Sequence, residues 1–338
     1  MVRPAPPSPI VLPTTTLQPP PEAMLTTMIT MTTSTTPVKK ISPTPTMTTL
    51  TLTPTMTPIL QQQTPLPPPS MPLPTCSHKT DHLTSGNFIG SSWHPTLGGS
   101  VQERNACELF AARRISLLLF AGDSMARNLA IDTRQYIFND SATPSREDCW
   151  QQRNGFNMEN GVCREGFVCG GQLRIRTLFF PFAEAENIGE LEADLSFVKE
   201  RTVVLFWYSI WYLIRDNSPF DAVLDKIQSD TRQLLAKLQT GAAAGSELQY
   251  TAVIGPIFPW CELPFRRGYC PRQGPENMSR LNEELMSAVS TACVPYFNIF
   301  ELSQKAGTGM NEGDGTHTGT ALNIILFKIV LQDFYENR

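Results

Sequence analysis

The sequence predicts an α/β fold of three layers, a parallel sheet with helices on both faces, preceded by a disordered tail. Three observations predict it. Short apolar runs alternate along the chain with stretches of helical periodicity. The first run, 115–121, is apolar apart from one serine, as a strand buried on both faces should be. Composition also changes sharply near residue 75.

Residues 1–75 hold 19 prolines and 20 threonines, more than half of the segment, and neither an aromatic residue nor a cysteine. Such a stretch cannot bury enough apolar surface to offset its ordering entropy. It reads equally as an O-glycosylated stalk or as an inert tail. Residues 76–338 then suit one domain with a sizeable core.

The elements of that domain follow in order. Strand 115–121 ends at Gly122-Asp123-Ser124, and residues 125–138 read as a helix. A second strand, 173–180, stops at Pro181, and a third, 202–208, is the richest in β-branched and aromatic residues. Residues 220–238 carry Val223, Leu224, Ile227, Leu234, Leu235 and Leu238 near helical spacing. A fourth strand is expected at 250–255, a helix at 277–289, a fifth strand at 295–300 and a closing helix at 320–335. In such sheets the active site lies outside the carboxyl ends of the strands. Ser124 follows the first strand directly, and His317 falls in the loop after the last.

Net charge is only -4 and no run of Lys or Arg exceeds two residues, which argues against a nucleic-acid surface or a basic membrane face. The apolar runs are far too short to span a bilayer. All eight cysteines lie at or beyond Cys76, an even number that suits four disulfides in an oxidising compartment. Zinc ligation is the alternative, but no C-x-x-C pair occurs. Cys261 and Cys270, with Pro264 and Gly268 between them, are expected to be oxidised, joined to each other or each paired nearby. Sequons begin at Asn139 and Asn277. The opening residues hold no apolar core of a signal peptide; a signal anchor encoded upstream would reconcile them with the secretory route that the cysteines suggest.

Two local signals carry chemistry. A serine that ends a buried strand and opens a helix sits at a tight turn, and Gly122 lets the backbone bend there. The helix N-terminus directs free N–H groups to the same place, which favours an oxyanion. The same tripeptide also suits an ordinary helix cap. The second signal is Asp314-Gly315-Thr316-His317. A serine hydroxyl needs a base, and neutral imidazole is the usual one. His78, His82 and His94 all precede the first strand, which leaves His317. Asp314 can turn back onto the ring because Gly313 and Gly315 permit the turn; a plain surface turn is the competing reading. His78 and His82 are four apart, but Asp81 is the only carboxylate beside them, so no metal site is expected.

Gly122-Asp123-Ser124 with Arg127-Asn128, and Asp314-Gly315-Thr316-His317 far downstream, resemble the PC-esterase branch of the SGNH (GDSL-type) superfamily. That branch includes the trichome-birefringence-like polysaccharide O-acetyltransferases. The resemblance runs from Cys76 to the C-terminus. It implies a flavodoxin-like sheet and a Ser-Asp-His triad, here Ser124, Asp314 and His317, that moves an acetyl group to or from a glycan hydroxyl through an acyl-enzyme. It implies no cofactor and no metal. Its partners are an acyl donor with a glycan acceptor, or an acylated glycan, for a monomer in the Golgi lumen or outside the cell.

Gly122, Arg127, Asn128, Ser209 and Trp211 are the candidates for oxyanion or substrate binding. The chain departs from the family at Phe206-Trp207-Tyr208-Ser209-Ile210-Trp211-Tyr212, where plant members carry an Asn-Thr-Gly-His-Trp-Trp-like segment. Trp207 replaces the asparagine expected to donate to the oxyanion, and Ser209 the glycine. Losing one such donor typically costs ~10²–10³ in rate. Arg127, Asn154 and Asn157 are the candidate substitutes; a salt bridge from Arg127 to Asp123 or Glu147 is the bland alternative. Trp211 is expected near the site and Trp207 in the core. A glycan-binding module without catalysis and a general lipase-like esterase are the rival functions.

Overall fold

A computed structural model describes residues 81–89, 92–95, 105–151, 161–197, 200–215, 217–243, 247–263 and 268–336. The expectations for the tail, Cys76, His78, Asn154 and Asn157 fall outside these residues.

In chain order the elements are α1 (Asp81–Thr84), β1 (Gly86–Ile89), β2 (Ser92–Pro95), α2 (Ala106–Ala112), β3 (Leu117–Gly122), α3 (Ser124–Asp132), α4 (Arg146–Gln151), α5 (Gly161–Arg164), β4 (Glu165–Val168) and β5 (Leu173–Phe179). Then come α6 (Ala185–Phe197), β6 (Thr202–Trp207), α7 (Ile210–Arg215), α8 (Phe220–Ala243), β7 (Leu248–Ile254), α9 (Cys270–Gln273), α10 (Pro275–Ser290), β8 (Tyr296–Phe297), α11 (Phe300–Ala306) and α12 (Thr320–Glu336).

The apolar strands build the layers through their period of two. In β3, Leu118 and Phe120 join one core with α3 and α12, while Leu117, Leu119 and Ala121 join another with α6, α8 and α10. β6 divides likewise, with Val203, Leu205 and Trp207 on the first side and Val204 and Phe206 on the second. The result is the expected three-layer α/β domain. The sheet order is β4-β5-β3-β6-β7-β8, parallel except for the antiparallel edge strand β4. The chain passes from β3 to β5 on one side, then crosses to β6 on the other. The crevice opened by that reversal lies at the carboxyl end of β3, where Ser124 begins α3.

Two expectations are corrected. The helix foreseen over 125–138 is α-helical only to Asp132 and continues as one π-helical segment, Thr133–Ile137. The fifth strand is two residues, not six: Asn298 Oδ1 accepts from the Phe300 amide at 3.3 Å, and Phe300 opens α11. Disulfides join Cys107–Cys169, Cys149–Cys163 and Cys261–Cys270, and Cys293 is disulfide-bonded too. No helix among the described residues is long and apolar enough to cross a membrane.

Candidate active site

The β3–α3 junction is set by close packing. A Cβ on Gly122 would overlap the Trp207 carbonyl oxygen and lie 2.7 Å from Ala126 Cβ, so only glycine fits where β3 meets β6. Asp123 caps α3, its Oδ1 accepting from the Met125 amide at 2.8 Å. Burial pushes the Asp123 carboxyl up to about 6, against the opposing pull of the Met125 hydrogen bond and of the His317 and Arg127 charges.

Across the crevice, residues 311–318 form a closed loop. Asn311 and Thr318 pair as an antiparallel bridge, and the Glu312 amide donates to the His317 carbonyl at 3.1 Å. Gly313 and Gly315 take φ of +81° and +75°, which folds Asp314 back toward His317. Asp314 Oδ1 accepts from the amides of Thr316 at 2.7 Å and His317 at 2.9 Å, and Oδ2 lies 2.6 Å from His317 Nδ1. Burial raises the Asp314 pKa, but its hydrogen bond to the ring, the ring's charge and the two amides prevail and hold it below the ordinary carboxylate range. The other ring nitrogen, Nε2, lies 2.8 Å from Ser124 Oγ. Three side chains from two distant segments thus form one continuous hydrogen-bonded line.

The remaining candidates are placed differently. Ser209 is buried at the end of β6 with φ of +105°, strained for a residue with a side chain. It lines a small pit with Asp123, Met125, Trp207, Tyr208, Ile210, Pro256, Ile257, Met278 and Thr316. The pit encloses about 10 Å³. Trp207 is 3% exposed and packs in the core, yet also borders this pit. Trp211 is half-buried on α7 and is not among the pit's lining residues. Arg127 is buried; its Nε and Nη2 donate to Asn128 Oδ1 at 3.3 and 3.1 Å, and the carboxylates of Asp123 and Glu312 favour its charge.

Sequence reasoning missed a polar cluster behind the loop. Arg146 on α4 reaches both Asp132, at the end of α3, and Glu312 and Thr318 of the loop. A carboxylate at Asp132 amid Leu129, Ala130 and Ile131 was the available signal, since a charge in a buried helix must find partners.

No protein-family model matches the chain, and no curated protein is significantly similar to it. Among solved structures it is similar to an acetylxylan esterase from Geobacillus stearothermophilus, at 15% identity over 65% of this chain and 96% of that one, TM-score 0.39. A hydrolase from the metagenome of Lake Arreo, Spain, shares 12% identity over 65% of this chain and 95% of its own, TM-score 0.40. A lipase/acylhydrolase from Enterococcus faecalis is similar at 11% identity over 66% of this chain and 96% of that one, TM-score 0.40.

Proposed function

We propose that the chain is a serine esterase or acyltransferase of the SGNH type that moves an acetyl group from or onto a glycan hydroxyl. The observation that carries this reading is the line Ser124 Oγ–His317 Nε2 at 2.8 Å and His317 Nδ1–Asp314 Oδ2 at 2.6 Å. With Nδ1–H donating to Asp314, Nε2 is the unprotonated nitrogen and accepts the Ser124 proton as Oγ attacks the ester carbonyl. The imidazolium, stabilised by Asp314, then protonates the departing alkoxide. Water or a sugar hydroxyl, deprotonated by His317, releases the acyl group and regenerates Ser124.

The oxyanion needs donors. Asp123 Oδ1 takes the Met125 amide, and the Arg127 amide donates to the Asp123 carbonyl at 3.2 Å. The Ser124 amide at the first turn of α3 is thereby left for the oxyanion. Ser209, at φ of +105° and lining the same pit as Asp123, supplies the second amide in this reading. The disulfides suit a lumenal or secreted protein. The glycan rests on the sequence resemblance.

The test is turnover of an activated acetyl ester by the purified protein and by Ser124→Ala, each with and without a panel of polysaccharides. The expected result is loss of at least ~10³-fold in Ser124→Ala with the fold kept. Near wild-type turnover by the variant sinks the reading. Acetyl appearing on a polysaccharide, rather than in water alone, marks the transferase.

A further inference from the structure

We propose that Arg146 is a positioning residue that clamps the loop carrying Asp314 and His317 onto the helix carrying Ser124, and keeps Glu312 from acting on the imidazole. This rests on the triad reading above and adds to it.

Asp132 lies about two turns beyond Ser124 on the same helix and is 1% exposed. A carboxylate so buried is tolerable only when paired and hydrogen-bonded. Arg146 Nε donates to its Oδ1 at 2.8 Å, and Arg146 Nη2 donates to its Oδ2. From α12, Asn323 Nδ2 donates to Oδ2 at 3.0 Å and Thr320 Oγ1 to Oδ1 at 3.4 Å. The third guanidinium nitrogen, Nη1, faces the loop. It donates to the Thr318 carbonyl at 2.7 Å and to Glu312 Oε1. Glu312 and Thr318 bracket the loop, and Thr318 is the residue after His317. One planar fork therefore bridges the two segments that meet at Ser124 Oγ and His317 Nε2. An ammonium has three hydrogens on one nitrogen and cannot meet these four acceptor atoms with a planar fork.

The second role is electrostatic. Glu312 Oε2 lies 4.0 Å from His317 Nδ1, the nitrogen already engaged by Asp314. Asp123 from the β3–α3 side also acts on the ring, Arg127 lies near Asp123 and Glu312, and Arg146 pairs with Glu312. Without Arg146, the Glu312 charge loses its paired cation, keeps only the influence of Arg127, and favours the imidazolium, the form that cannot accept the Ser124 proton. α4 itself is stapled by Cys149–Cys163, which pack on Ile131 of α3.

The test compares Arg146→Met, Arg146→Lys, Glu312→Gln and the double variant Arg146→Met with Glu312→Gln. The readout is kcat and KM for a small uncharged acetyl ester across pH, with the folded fraction measured by melting. Arg146→Met is expected to lower kcat by about tenfold or more with KM within about twofold, because misplaced reacting atoms weaken the transition state more than binding. The acid limb of its kcat profile moves to higher pH, and Glu312→Gln in that background moves the limb back without restoring kcat. If Arg146→Met does not fold, Arg146→Lys decides through its lowered kcat, and Glu312→Gln alone is expected to leave the limb in place, because Arg146 already offsets the Glu312 charge. Arg146→Lys is expected to fall between. A folded Arg146→Met with unmoved kcat and limb overturns the clamp, and a limb that Glu312→Gln alone moves to lower pH overturns the shielding. Ser124→Ala run in parallel separates the two failures. Retained turnover there removes the triad itself, whereas a dead Ser124→Ala beside an unmoved Arg146→Met removes only the clamp.

Discussion

The two halves of the candidate site are built in opposite ways. Ser124 stands on regular structure: a fully buried strand, a glycine that fits between β3 and β6, and a capped helix whose residues are buried from Met125 to Asp132. Asp314 and His317 stand on an irregular loop held by its own amides, by two glycines at positive φ and by one arginine from another helix. Backbone packing fixes the first half. Side-chain hydrogen bonds and charge fix the second. Ser124 itself apart, substitutions in the first half should therefore register mainly in stability, and those in the second mainly in catalysis.

The largest effect after removal of Ser124 itself is expected from Asp314→Asn. Asparagine keeps an oxygen for the Thr316 and His317 amides, so the loop retains its shape, but its other terminus can present NH₂ rather than a carboxylate to Nδ1. We expect kcat to fall ~10³–10⁴-fold with little change in melting temperature. A loop that melts early in this variant would mean that charge holds the loop's shape as well as the imidazole's tautomer.

On the strand side, Gly122→Ala forces a methyl onto the Trp207 carbonyl and Ala126. A loss of ~1–3 kcal/mol is expected, as for other overpacked positions, visible in chemical denaturation. Unchanged stability would show that β3 and β6 can separate at this end, contrary to the backbone packing described above.

The effect at Asp123 is of similar size but appears only as pH changes. Its folded pKa, about 6, lies above the ordinary 3.8, so its contribution favours the folded state at low pH and is lost as pH rises through about 6. Asp123→Asn keeps an oxygen to cap the Met125 amide but does not titrate. Relative to this variant, the native protein should lose up to roughly 3 kcal/mol between about pH 4 and pH 7, since a tenfold difference in proton affinity between the folded and unfolded chain corresponds to about 1.4 kcal/mol. Parallel stability curves across that range would show that Asp123 ionises without penalty.

The same contrast governs what the sequence made legible. The β3 run and Gly122-Asp123-Ser124 are local patterns, and the strand, turn and helix follow where the pattern put them. Asp314-x-x-His317 is local too, because a four-residue turn brings the carboxylate to the ring. Arg146 had no such signature: it lies 14 residues from Asp132 and 166 from Glu312, and only the folded chain joins them. The β1–β2 hairpin and α6 were also not foreseen, although Ile188, Leu191 and Leu195 of α6 repeat at helical spacing. The fifth strand was overdrawn because Asn-Ile-Phe reads as extended, whereas the Asn298 side chain turns the backbone into α11.

The most direct test of the central claim is to trap the acyl-enzyme. The protein is mixed with an activated acetyl ester, quenched in acid within the first turnover, and its peptides are mapped by mass spectrometry. One acetyl group on Ser124, absent when the protein is denatured before mixing and absent in Ser124→Ala, is the expected result. Full turnover with no adduct at Ser124, or an adduct at another residue that persists in Ser124→Ala, would contradict it.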